Sequence, residues 1–151
     1  MGPSQYDYHY DESYSRSQHD IRLAQEIHKA INGEYSAIAC YERLATMAPT
    51  EAVRNQLLEI RQDEIHHFEE FCRIYNHITG RAAHPQITET CPNTYSDGIE
   101  FAFKDEQETV DFYLSMADVA KNILIKKAFK RAAADEQNHA VWFLYFIQKN
   151  K

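Results

Sequence analysis

The chain has 151 residues, 44% of them hydrophobic and 26% charged, with four glycines, four prolines and a formal net charge of −7. That length suits one domain with a sizeable core, and long stretches without glycine or proline favour helices over strands and turns. The acidic balance gives no electrostatic reason to bind nucleic acid or anionic lipid, and no run approaches the roughly 20 apolar residues of a membrane span.

Residues 1–18 are polar, with tyrosines at 6, 8, 10 and 14 and no helical period. This composition predicts a disordered tyrosine-rich tail ahead of a single domain over 19–151, with a strand or a partner-binding arm as the alternative. No apolar segment of a secretory signal precedes it, and Tyr6 stands where myristoylation needs Ser or Thr. The expected location is therefore cytoplasmic.

Helix 1 is predicted from about Asp20 to Ala48. Its inward stripe is Ile27, Ala30, Ile31, Glu34, Ile38, Tyr41, Leu44, Ala45 and Ala48, spaced three and four apart. Pro49 breaks the chain and Thr50 caps helix 2, which runs to about Thr79 with Gly80 as its stop. Its stripe is Val53, Leu57, Ile60, Glu64, His67, Phe71 and Ile74. The segment from Arg81 to Asp97 has no period and is long enough to cross the length of a bundle. Helix 3 is predicted from near Asp97, capped by Ser96 or Asp97, with Ile99, Ala102, Phe103, Glu106, Val110, Tyr113, Ala117 and Ala120 inward. Asn122 caps helix 4, whose stripe is Ile125, Phe129, Ala132, Glu136, His139, Phe143 and Phe146. Two short hairpins joined by one long crossover is the ferritin-like antiparallel four-helix bundle, an all-α fold. The three cysteines, Cys40, Cys72 and Cys91, form no C-x-x-C pair. The expectation is no disulfide framework and no thiolate metal knob, with Cys40 and Cys72 as small buried hydrophobes.

One pattern is written twice, 72 residues apart: Glu34, Tyr41, Ala45, Ala48, Asp63, Glu64, His67, Phe71, and then Glu106, Tyr113, Ala117, Ala120, Asp135, Glu136, His139, Phe143. The repeat predicts a pseudo-twofold axis relating hairpin 1–2 to hairpin 3–4. Each glutamate lies 15 residues from its hairpin turn, so all four reach one level about 22 Å from the turns. Each histidine follows its glutamate by three residues and projects from the same face. Helix phase selects Glu106 over Asp105 or Glu108, which remain the fallbacks.

Four carboxylates at one depth of an apolar core need cations or protons to be tolerable. Two divalent ions balance them, and oxygen-rich ligation with one imidazole per ion and no thiolate favours iron or manganese over copper(I) or structural zinc. Glu64 and Glu136 are placed to bridge, with Glu34 and Glu106 terminal. Asp63 and Asp135 are candidates to orient the imidazole N–H groups. Tyr41 and Tyr113 are candidates to hydrogen-bond a bridging carboxylate or to pass an electron, simple core tyrosines being the other reading.

The segments GEYSAIACYERLA, DEIHHFEEF, EQETVDFYLSMADVA and DEQNHAVWF resemble the rubrerythrin branch of the ferritin-like superfamily, over residues from about 20 to 148. The resemblance implies a non-haem di-iron centre that cycles between Fe2+ and Fe3+ and reduces peroxide or oxygen, with the same six ligands. Two departures stand out. The paired C-x-x-C motifs of a rubredoxin domain are absent from these residues, so an external electron donor is expected. Thr109 occupies the place of an extra helix-3 carboxylate, leaving a six-ligand set that looks like the more symmetrical centre of bacterioferritins. The expected function is oxidation of a bound Fe(II) pair in oxidative-stress protection, by a homodimer or larger homo-oligomer that binds neither nucleic acid nor membrane. Alternatives are a ferroxidase that loads an iron store, a metal-stabilised interaction protein acting through its tail, and a dimanganese catalase-like centre.

Overall fold

The computed structural model describes the backbone from Gln5 and side chains from Gln18 onward. Of the predicted tail, 1–18, residues 1–4 lie outside the described residues, as do the side chains of 5–17; the backbone from Gln5 already belongs to the first helix, where the composition predicts a disordered segment. Four helices follow in order: α1 (Gln5–Thr46), α2 (Glu51–Thr79), α3 (Tyr95–Val119) and α4 (Ile123–Lys149). α1 pairs with α2 and α3 with α4, while α1 also faces α3 and α2 faces α4. Two tight turns and one crossover thus produce the predicted bundle. Among the described residues no helix is long and apolar enough to cross a membrane.

The helix ends follow their local chemistry. Thr50 accepts a hydrogen bond from the Val53 amide at 3.2 Å, and Gly80 ends α2 in the left-handed region at φ 70°, where a β-carbon is disfavoured. Asn122 accepts from the amides of Leu124 and Ile125 at 2.8 and 3.2 Å. Three boundaries differ from expectation, the first being the start of α1, at Gln5 rather than about Asp20. Thr94, rather than Ser96 or Asp97, caps α3 by accepting from the Asp97 amide at 3.2 Å. The Gly98 amide closes that turn onto the Thr94 carbonyl, which leaves Asp97 in the first turn, where a carboxylate faces the positive helix end. α1 stops at Thr46 rather than Ala48, because Met47 and Ala48 bond back only three residues, to Leu44 and Ala45.

The core has two apolar layers. One contains Leu23, Ile27, Phe71, Tyr113 and Phe129; the other contains Leu44, Leu57, Ile60, Ile99, Phe143 and Phe146. Each such side chain contributes roughly 1.5–3 kcal/mol on burial. On every helix the two layers are separated by buried acids or imidazoles: Glu34, Glu64, His67, Glu106, Glu136 and His139. At one end α1 and α3 approach so closely that a β-carbon on Gly98 would run into Leu44.

The cysteine expectation needs correction. Cys40 is buried as predicted, but it is bonded to Cys91 of the crossover, with 5.2 Å between their α-carbons. Cys72 alone is free, half-buried beside the first apolar layer. The crossover is also tied to α1 by hydrogen bonds. The Gln86 amide donates to Asn32 Oδ1 and the Thr88 amide to Ser36 Oγ, both at 2.9 Å. Arg43 Nη2 donates to Asn93 Oδ1, also at 2.9 Å.

Candidate metal centre

The six residues predicted from the repeat converge at mid-bundle, each no more than 2% exposed. They form two overlapping groups, Glu34–Glu64–His67–Glu136 and Glu64–Glu106–Glu136–His139, whose ligand atoms lie within 4.8 Å of one another. Glu64 and Glu136 belong to both groups, as bridging carboxylates must. His67 Nδ1 is 3.2 Å from Glu136 Oε1 and 3.5 Å from Glu34 Oε1. His139 Nδ1 is 3.1 Å from Glu64 Oε1 and 3.5 Å from Glu106 Oε2. Helix phase is thereby resolved: Glu106 points into the cluster, Asp105 lies half-buried beside it, and Glu108 is exposed.

The outer supports cross between helices in a way spacing did not reveal. His67 Nε2 donates to Asp135 and His139 Nε2 donates to Asp63, both at 2.8 Å. Each aspartate therefore serves the histidine of the opposite hairpin, not the one four residues along its own helix. With Nε2 carrying the proton, the Nδ1 lone pair of each ring faces the cluster. The tyrosines also cross, and they hold terminal rather than bridging carboxylates. Tyr41 donates to Glu106 Oε1 at 2.6 Å, and Tyr113 donates to Glu34 Oε1. Asp63→Asn or Asp135→Asn is expected to weaken metal affinity by about 10–100-fold in calorimetric titration. Unchanged affinity would show that these bonds do not tune the imidazoles.

A test of fit for metal lies in the unpaired atoms. Among the described residues, the buried side-chain N and O atoms without a hydrogen-bond partner are Glu34 Oε2, Glu64 Oε1, His67 Nδ1, Glu106 Oε2, Glu136 Oε1 and His139 Nδ1. One such atom comes from each candidate ligand. Buried polar atoms are almost always paired, so six orphans aimed at one small volume fit the donor set that a pair of cations would need.

The electrostatics agree. Burial, then the charges of Glu34 and Glu106, push Glu64 well above the usual carboxylate range; burial, then Glu106 and Glu64, do the same to Glu136. For Glu106 burial acts in that direction too, but the facing Glu136 carboxyl and His139 imidazole, with the Tyr41 hydroxyl, hold it below its ordinary value. Burial opposes charge on either imidazole, yet the carboxylates facing them win, lifting His67 to about 10 and His139 to about 12. Without metal, protons occupy the place of the cations. Burial and the adjoining carboxylates also raise Tyr41 and Tyr113 well above the usual phenol range, so both hydroxyls remain donors.

A cavity of about 210 Å³ between α1 and α3 reaches the cluster. Glu34, Glu64 and Glu136 form its inner surface; Gly33, Thr109 and Phe112 line its sides; Thr88 and Glu89 of the crossover, with Asp105 and Glu108, form its rim. Burial and the neighbouring Glu89 push Asp105 up to about 8. Neither Thr88 nor Glu89 was foreseeable as part of this region, because no periodic signal places a crossover residue over a helix pair.

The rubrerythrin family model matches residues 97–151. An uncharacterised Bacillus subtilis protein, YhjR, is 53% identical over 130 residues, covering 86% of this chain and 90% of its own. Among solved structures, Desulfovibrio desulfuricans bacterioferritin, described with a diiron site, superposes with a TM-score of 0.77 at 21% identity, covering 88% of this chain and 82% of its own. A ferritin-like diiron-carboxylate protein from Bacillus anthracis gives 0.72 at 20% identity, covering 85% and 97%. A hypothetical protein from Pyrococcus furiosus gives 0.74 at 20% identity, covering 83% and 88%.

Proposed function

We propose that this chain, which belongs to the rubrerythrin family and has the ferritin-like bundle fold, holds two iron ions with Glu34, Glu64, His67, Glu106, Glu136 and His139, and that peroxide or oxygen oxidises them, protecting the cell from oxidative damage. The six orphaned donor atoms are the observation that carries this reading. When bound, the iron pair supplies the two electrons that such an oxidant takes.

The residues around the cluster divide the remaining work. Asp135 and Asp63 fix the two imidazoles with Nδ1 inward. Tyr41 and Tyr113 steady the terminal carboxylates and stand ready as proton or electron donors. The apolar layers on either side exclude water, so oxidant approaches through the cavity between α1 and α3. No residue pattern of a rubredoxin centre lies in these 151 residues, and the reducing equivalents come from an external donor. Manganese fits the same oxygen-rich donors. A cytoplasmic homodimer or larger oligomer completes the proposal, with Val141, Leu144 and Tyr145 of α4 exposed for association.

Peroxide loss followed with the iron-loaded protein tests this reading. We expect turnover well above that of the same concentration of free Fe(II); loss no faster than the free ion would count against it. The six-ligand set and the bacterioferritin likeness favour a ferroxidase as the second reading. Gel filtration separates the two, since a species near twice the 17.7 kDa chain mass excludes a storage cage.

A further inference from the structure

The crossover is laid along one line of α1. Its attachment points, Asn32, Ser36, Cys40 and Arg43, recur at helical spacing and so share a face. On the other side the crossover presents Glu89, which stands beside Asp105 of α3, the two lining the same cavities. It is therefore a strap, pinned to α1 and lying beside α3, and its Thr88 and Glu89 stand at the rim of the cavity that reaches the carboxylate cluster. The disulfide lies two residues beyond Glu89. The same small space borders Cys40, Cys91, Glu89, Asp105 and Tyr41, so the covalent tie and the cavity rim are neighbours.

We propose that Cys40 and Cys91 are a reversible dithiol–disulfide pair whose state sets how quickly metal ions pass the strap. Cys40 is 5% exposed and Cys91 is half-buried, so an external thiolate attacks Cys91 Sγ and Cys40 leaves as thiolate. A second external thiol resolves the mixed disulfide. The sum is one protein disulfide and two thiols giving one protein dithiol and one small disulfide. In the other direction hydrogen peroxide takes two electrons from the two sulfurs, forming the S–S bond and two waters. Reduction leaves the strap held by single hydrogen bonds, which open and close readily; oxidation holds it across the cavity. Metal loading is thereby favoured in reducing conditions, and metal is retained when peroxide is present. This inference rests on the reading of the six-residue cluster as a metal centre.

The test uses the full chain, freed of metal and prepared in both sulfur states, with reductant removed by gel filtration. Co(II) uptake is followed by visible absorption, and maleimide labelling with mass spectrometry counts the thiols. The reduced protein is expected to load on the order of tenfold faster, equivalent to about 1.4 kcal/mol of easier opening. The final Co(II) affinity should be the same in both states, because no ligand has changed. Cys40→Ser/Cys91→Ser should load at the reduced rate whether or not reductant is present, and Cys72→Ser should behave as the unaltered protein. Peroxide should restore the slow form of the unaltered protein. Equal uptake rates in the two states would overturn the proposal and leave the metal centre standing, as would failure of peroxide to re-form the bond. A protein that takes up no Co(II) in either state overturns both. A purely structural cross-link would shift the thermal midpoint and leave the uptake rate alone.

Discussion

Glu64→Gln is expected to remove metal-dependent stabilisation while leaving the metal-free protein almost unchanged. Glu64 lies in both ligand groups, so one substitution strips a donor from each ion. Loss of a mere supporting hydrogen bond lowers metal affinity by about 10–100-fold, and loss of a shared ligand should exceed that. At a metal concentration one hundredfold above the dissociation constant, binding stabilises the native state by about 2.7 kcal/mol; that increment should vanish from the melting curve. The metal-free protein should barely notice. Burial and the charges of Glu34 and Glu106 already keep Glu64 protonated well above the usual range, and a protonated carboxyl and an amide are close in shape. Glu108→Gln, on the cavity rim, is the control and should retain the full metal effect. A Glu64→Gln protein with an undiminished metal-induced shift would contradict the bridging assignment.

The second large effect is with pH. Metal needs both imidazoles neutral, whereas in the metal-free protein His67 holds its proton to about 10 and His139 to about 12. Below pH 10, then, loading two ions displaces at least these two protons, and protons are the competitor that acid supplies. Affinity must therefore rise with pH. Each displaced proton contributes about tenfold per pH unit, so the product of the two binding constants should grow by at least about a hundredfold per unit between pH 6 and 8. A site of ordinary surface carboxylates would instead level off above about pH 5, once its acids had ionised. Calorimetry in buffers of different ionisation enthalpy counts the protons directly, and a flat profile over that interval would contradict this account of the cluster.

The sequence made the ligand cluster visible because it states the geometry twice. Glu34 and Glu106 alone would be two acids among many; a shared depth, and a histidine one turn after each partner glutamate, turn coincidence into architecture. Helix phase and distance from a turn are local quantities, and spacing preserves them. What spacing does not preserve is the identity of a neighbour across the bundle. Asp63 sits four residues before His67, yet its partner is His139, because the aspartate side chain leans from the flank of α2 toward α4. The tyrosines were placed on the correct stripe, but which carboxylate each reaches depends on how α1 and α3 are staggered. Cys40 and Cys91 carried no signal at all. They are 51 positions apart, one inside a helix and one in an aperiodic crossover, and only the path of that crossover brings them together. At the start of α3, Thr94, Ser96 and Asp97 are all competent caps, and the choice fell to the one whose hydroxyl closes the earlier turn.

All four outer bonds of the centre, from Tyr41, Tyr113, Asp63 and Asp135, run from one hairpin to the other. Half of this molecule would own ligands it cannot aim and aimers with nothing to steer. A single hairpin would need a twin face to face with it, and the crossover that joins the two in one chain makes that encounter permanent where it would otherwise depend on concentration.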